Sequence, residues 1–173
     1  MAVTLYDAFV PTIRQMLGSM QGVLQKAQLW CAETGMSDAT LAGLRMHRTM
    51  LPMSFQIRSV AHHSLGAIDA MRSGGFDVQG GETPEDLASM QALVQRAAKV
   101  LAEVTSEELD AAQSRDVVVR LPSAQIPFTA TDFLLSFSQP NFFFHATTAY
   151  DLLREAGVEL GKRDFLGQLR IKA

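Results

Sequence analysis

Gln139-Pro140-Asn141-Phe142-Phe143-Phe144-His145-Ala146-Thr147-Thr148-Ala149-Tyr150-Asp151-Leu152-Leu153-Arg154 packs the densest aromatic run of the chain around two polar side chains. Asn141 and His145 are four residues apart, so a helix sets them on one face, with Thr148 one turn further on the same side. The apolar residues Phe133, Leu134, Phe137, Phe144, Ala149, Leu152 and Leu153 recur at helical spacing and make this the last long helix. Thr129 with Asp132, or Thr131 itself, caps its start, and Gly157 ends it. Pro140 removes one internal hydrogen bond and crowds the preceding turn, which predicts a kink at Ser136 to Pro140. Phe142, Phe143 and Phe144 are consecutive and face three directions, so at least one of them belongs to an interface or a pocket wall.

Immediately upstream the pattern changes. The β-branched run in Asp116-Val117-Val118-Val119-Arg120-Leu121-Pro122 favours a strand, and Ile126-Pro127-Phe128 returns beside it as a small hairpin. Pro122 and Pro127 cannot donate to a ladder, so the hairpin is expected as an edge excursion rather than the core of a sheet.

Three further amphipathic segments precede the hairpin. The first runs from Thr4 to about Thr34, with Phe9, Ile13, Met16, Leu17, Met20, Val23, Leu24, Ala27, Trp30 and Cys31 on its apolar face. Thr4 and Asp7 form its cap, Gly35 its stop, and Pro11 either begins the regular helix or bends it. The second is opened by Pro52 and runs to about Arg72, before Ser73-Gly74-Gly75, with Met53, Ile57, Val60, Ala61, Ser64, Leu65, Ile68 and Met71 as its stripe. The third starts at Thr83-Pro84-Glu85-Asp86 and carries Leu87, Met90, Leu93, Val94, Ala97, Leu101 and Val104. Short helical turns are expected at Ser37 to Arg45 and Thr105 to Ala111. Four long amphipathic segments bury their faces best around a shared axis, so the expected fold is all-α: a four-helix bundle with a small β-hairpin before the last helix.

Composition bounds the function. At 173 residues and 47% hydrophobic content the chain reads as one domain spanning 1–173. A net charge of −3, with 15 basic residues spread along the chain, gives no footprint for nucleic acid or an anionic membrane. The N-terminus lacks a basic region followed by an apolar core and no run is long enough to span a bilayer, so the expected compartment is the cytoplasm. The single cysteine, Cys31, forms no internal disulfide and reads as a buried inert thiol.

Bundles build metal and cofactor sites from polar side chains that project inward from facing helices. Here the candidates are Asn141, His145 and Thr148 on the last helix, and Gln56 and His63 on the second, with His62 as the choice in the other phase. His63 shares its edge with Gln56, whereas His62 points towards Arg58 and Asp69. Neutral imidazole is the commonest metal ligand, yet a zinc or nickel site wants three protein ligands, and only two histidines converge. One reading of these residues is a hydrogen-bonded polar cluster inside the bundle, with Gln56 or His63 as the partner of His145; the other is a degenerate metal site. No phosphate loop, nucleophile elbow, His-Glu-x-x-His pair or carboxylate pair is present.

The segments Leu5-Tyr6-Asp7-Ala8-Phe9-Val10-Pro11, Met50-Leu51-Pro52-Met53-Ser54-Phe55-Gln56-Ile57, the Asn141-to-Arg154 helix and the tail Gly161-Lys162-Arg163-Asp164-Phe165-Leu166-Gly167 together resemble a bacterial domain-of-unknown-function family similar to the DinB/YfiT-like superfamily. The resemblance implies a four-helix bundle of a metalloenzyme type that often dimerises. The resemblance implies one metal-holding histidine on the second helix and a His-x-x-x-His pair on the last. His145 matches the second member of that pair, Asn141 stands where the first would be, and His63 or His62 is the second-helix candidate. It implies a metal-dependent enzyme of hydrolase or thiol-dependent transferase type using a divalent metal, zinc or nickel; a module that has lost the metal is the alternative. In that second case the protein is a metal-free homodimer that binds a small-molecule ligand or serves a structural role.

Overall fold

The computed structural model describes residues 3–172. It is mostly helical, with a small three-stranded sheet. Helix α1 (Leu5–Thr34) is followed by the short α2 (Asp38–Ala42). The second long segment consists of α3 (Met53–Ala61), a π-helical stretch π1 (His62–Gly66) and α4 (Ala67–Ser73). Strand β1 (Gly75–Asp77) leads to α5 (Leu87–Glu103) and α6 (Ser106–Ala112), then to β2 (Asp116–Leu121) and β3 (Ala124–Thr129). The last long segment is α7 (Ala130–Asp132), π2 (Phe133–Ser138) and α8 (Gln139–Ala156), and α9 (Lys162–Leu166) closes the chain.

Local chemistry accounts for most boundaries. Thr4 and Asp7 form a reciprocal capping box at α1, and Gly35 ends it in the left-handed conformation at φ 75°. Pro11 neither starts nor delimits α1, which begins before it and runs through. The expected cap of the third long helix at Thr83 is displaced: Asp86 is the N-cap, exchanging hydrogen bonds with Ser89. In place of a simple kink at Ser136 to Pro140, the chain widens into π2, and Pro140 sits in the first turn of α8, where an amide hydrogen is dispensable.

The hairpin is present, with Asp116 opposite Thr129 and Leu121 opposite Ala124. Its expected edge position is corrected for β2, which is the middle strand of the order β1-β2-β3 because β1 pairs with it in parallel, Phe76 opposite Val119. Pro127 lies on β3, an outer strand, as its missing donor requires. A three-residue strand beside Ser73-Gly74-Gly75 leaves too short a pattern to be read from sequence alone.

The four long segments pack in a ring. α1 contacts α5 and α8, and α3 contacts the same two, so the first and second long segments face each other across the core rather than side by side. Phe9, Ile13, Leu17, Met20, Leu24, Met53, Ile57, Ile68, Phe76, Phe133 and Phe142 are fully enclosed there. Burying each such side chain contributes roughly 1.5–3 kcal/mol, which is what holds α3 and α8 in fixed register. That register positions the site.

Candidate functional site

The interface between α3–π1 and π2–α8 gathers the polar side chains. Gln56 is buried near the start of α3, and its side-chain Nε2 donates to the Leu51 carbonyl at 2.8 Å. Its Oε1 lies 2.7 Å from Nδ1 of His145 on α8. Directly after α3, the π1 stretch turns His63 inward, where its Nδ1 lies 3.2 Å from Oγ of the fully buried Ser138 at the end of π2. The two imidazoles face each other with ring centroids 5.9 Å apart and planes only 12° from parallel. Phe137 meets His63 edge-on at 5.6 Å, and Phe55 meets His145 edge-on at 5.9 Å, so aromatic walls flank both rings.

A π-helical turn holds one residue more than the α-helix it interrupts and so rotates the side chains that follow. Both such stretches lie at this interface, and the His63–Ser138 hydrogen bond joins one to the other. The second histidine of the pair faces away. His62 Nε2 donates to the Asp77 carbonyl at 2.7 Å and stacks on Phe76 at 4.2 Å. Beside it, the guanidinium of the buried Arg58 donates to the carbonyls of Gly80 and Gly81 and stands 5.0 Å over the Phe55 ring. A side chain at Gly80 would press on His62, with Cε1 3.1 Å from its Cβ. These contacts tie the 77–81 loop to the second helix.

The electrostatics keep both inward rings neutral. Burial, followed by the neighbouring His145, His62 and Arg58, pushes His63 down to about 3. Burial and then Arg58 push His145 down to about 4. Burial also lowers Arg58 itself, and Asp77 opposes that shift. The buried Cys31 thiol is raised by burial and then by Asp38, the opposite of what an activated nucleophile requires.

Of the residues singled out from sequence, Gln56, His63 and His145 are brought together. Asn141 and Thr148 instead serve their own helix: Asn141 Nδ2 donates to the Phe137 carbonyl at 2.7 Å and Thr148 Oγ1 to the Phe144 carbonyl at 2.8 Å. Ser138 escaped the sequence reading because its inward direction depends on π2, which no apolar periodicity signals. Tested on its donors, the centre has two neutral imidazoles, and among the described residues no three His, Cys, Asp or Glu side chains converge on one point. The residues present do not fit a three-donor transition-metal site.

A family model described as a domain of unknown function, DUF1993, matches residues 5–166. None of the curated proteins matches the chain. Among solved structures, a DinB family member protein from Shewanella denitrificans superposes with a TM-score of 0.81 at 22% identity, over 98% of this chain and 95% of that one. The fold is therefore DinB-like; at that identity the likeness extends to the fold alone.

Proposed function

We propose, for a chain that belongs to the DUF1993 family, that it works as a metal-free ligand-binding module: a four-helix bundle that keeps the place of a metal centre without its full donor set. The observation that carries this reading is the donor count at the His63–His145 pair. Asn141 occupies the position where the resemblance implies another imidazole, and an amide is a poor substitute with a transition metal. Half-buried His145 leaves the centre within reach of a small solute, while Gln56 and Ser138 hold the rings from behind.

The test is metal content. Untagged protein reloaded with zinc, nickel, iron or manganese and then dialysed is expected to retain well below one equivalent, with no difference between wild type and His145→Ala. Stoichiometric metal that disappears in His145→Ala overturns the reading. It would support instead the metal-dependent alternative, whose enzymatic type, hydrolase or thiol-dependent transferase, an activity assay of the reloaded protein then tests. One observation favours that alternative: His145 is neutral and donates its Nδ1–H to Gln56 Oε1, as a ligating histidine donates to its outer hydrogen-bond partner.

The module is proposed to act as a cytoplasmic homodimer. Phe144 is 57% exposed between the buried Phe142 and the site-flanking His145, and an aromatic of that size on a helix face supports a contact between copies. A monomer by sedimentation at micromolar concentration removes the dimer from the proposal.

A further inference from the structure

A cavity of about 820 Å³ lies between the first half of α1 and the tail that follows α9, and it shares no residue with the His63–His145 centre. Its size falls within the range of roughly 300–1,000 Å³ typical of small-molecule pockets. Side chains of α1 hold the tail in place as its second wall. Gln15 Nε2 donates to the Leu166 carbonyl at 2.8 Å, Ser19 Oγ donates to the Asp164 and Phe165 carbonyls at 2.7 Å, and Arg170 donates to Thr12 Oγ1 at 3.2 Å. Gly167 makes the turn between these anchors. Its φ of 61° with ψ −147° suits glycine and strains any other residue, and a Cβ there would come 3.1 Å from that of Ser19.

The charge of this cavity is one-sided. Arg14 and Arg170 line it, and among the described residues no Asp or Glu does, in a chain whose net charge is −3. The salt bridges among the described residues fall on Lys26 and Arg72, so neither of these arginines meets a carboxylate there. Tyr6, Leu169 and Ile171 add apolar surface to the same lining, and Leu169 and Ile171 are exposed. We propose that the cavity binds an organic oxyanion: a carboxylate or phosphate head on an apolar body. A guanidinium presents paired N–H donors that match either head, and two of them repel a cation. Exposed charges alone hold an ion weakly in water, so the apolar walls must supply the rest by covering hydrocarbon. This site goes beyond the reading of the histidine pair and stands whether or not that pair holds a metal.

The experiment is calorimetric titration of the untagged full chain, after chelator treatment and at low salt, with benzoate, phenyl phosphate, inorganic phosphate and benzyl alcohol. The arginine side-chain proton–nitrogen resonances are followed alongside. Saturable binding of benzoate or phenyl phosphate is expected, with shifts at Arg14 and Arg170, and the tighter of the two identifies the head. Inorganic phosphate and benzyl alcohol should each bind at least about tenfold more weakly than that ligand. Arg14→Met and Arg170→Met should each weaken binding by about tenfold, whereas Arg115→Gln, in the turn before β2, should leave it unchanged. Gly167→Ala, with its helical content and urea midpoint checked, should weaken binding by moving the tail. No saturable binding of either organic anion, or binding that survives both arginine substitutions, overturns the site. Benzyl alcohol binding as tightly as benzoate overturns the anionic head, and inorganic phosphate binding as tightly as phenyl phosphate overturns the apolar body. Failure of the metal-free reading is separate: it shows as stoichiometric metal before chelation.

Discussion

The two halves of the molecule bury different things. Where α1 packs on α5, the enclosed side chains are apolar except Ser19, whose hydroxyl bonds the carbonyls of Asp164 and Phe165 in the tail. The second and last long segments carry Ser54, Gln56, Arg58, Ser59, His63, Ser64, Ser138 and Thr148, eight of the nine buried polar or charged side chains among the described residues. The apolar half is regular α-helix, and both π stretches lie in the polar half. Apolar packing carries no directional demand beyond shape, so α1 and α5 keep their ideal period. A buried imidazole must meet a partner at hydrogen-bond distance, and departures from the α-helix are what aim His63 at Ser138.

The contrast should be broken most strongly from the apolar side. Phe9→Ala empties a fully enclosed position and is expected to cost about 3–5 kcal/mol in urea unfolding. The ring tautomers should stay unchanged, because no hydrogen bond of the site passes through Phe9. A shift in either tautomer would mean that the halves are coupled.

Acid acts on the other half. In the unfolded chain both histidines titrate near their ordinary value of about 6.5, whereas folding lowers His145 to about 4 and His63 to about 3. Between those values the unfolded state binds more protons, so stability falls as pH falls from about 6.5 towards 4 and then 3, and it is fully present above 6.5. The loss should be on the order of a few kcal/mol and smaller in His145→Gln; equal slopes in the two proteins from pH 7 to pH 4.5 would remove His145 from the explanation.

Gln56→Met is a smaller perturbation. It leaves the Leu51 carbonyl and the His145 Nδ1–H without their partner, at a cost of about 1–3 kcal/mol by thermal or urea unfolding. Smaller again is Asp86→Ala, which removes the α5 cap from the apolar half and should lower the unfolding midpoint by less than Gln56→Met does, without moving any histidine resonance. A loss at Asp86 equal to that at Gln56 would erase the distinction between a buried and an exposed hydrogen bond.

Much of this was legible from residues. Thr4 with Asp7, Gly35, Gly157 and the apolar spacing place α1 and the end of α8 because caps and stripes are local, a few residues long and chemically specific. The pairing of Gln56, His63 and His145 followed from helix phase on two facing segments. Phase put His62 and His63 on different sides of the stripe but left open which one faces inward; the structure turns His63 in and gives His62 to the 77–81 loop, with Arg58 beside it. Asn141 and Thr148 lie on the expected face, yet a short polar side chain on a helix finds its own carbonyl three or four residues back before it reaches a neighbour.

By itself the sequence determined the four amphipathic segments, the hairpin, most caps and the inward placement of His145, because periodicity, β-branching and capping act over a few residues. The tertiary structure decided the rest. It made β2 a central strand by bringing β1 beside it, converted parts of two helices into π stretches, turned His63 rather than His62 inward against Ser138, and chose Gln56, of the two partners the residues offered, for the hydrogen bond to His145. Those outcomes depend on contacts between residues as many as 89 positions apart, as with Gln56 and His145, and only packing the segments together makes such contacts.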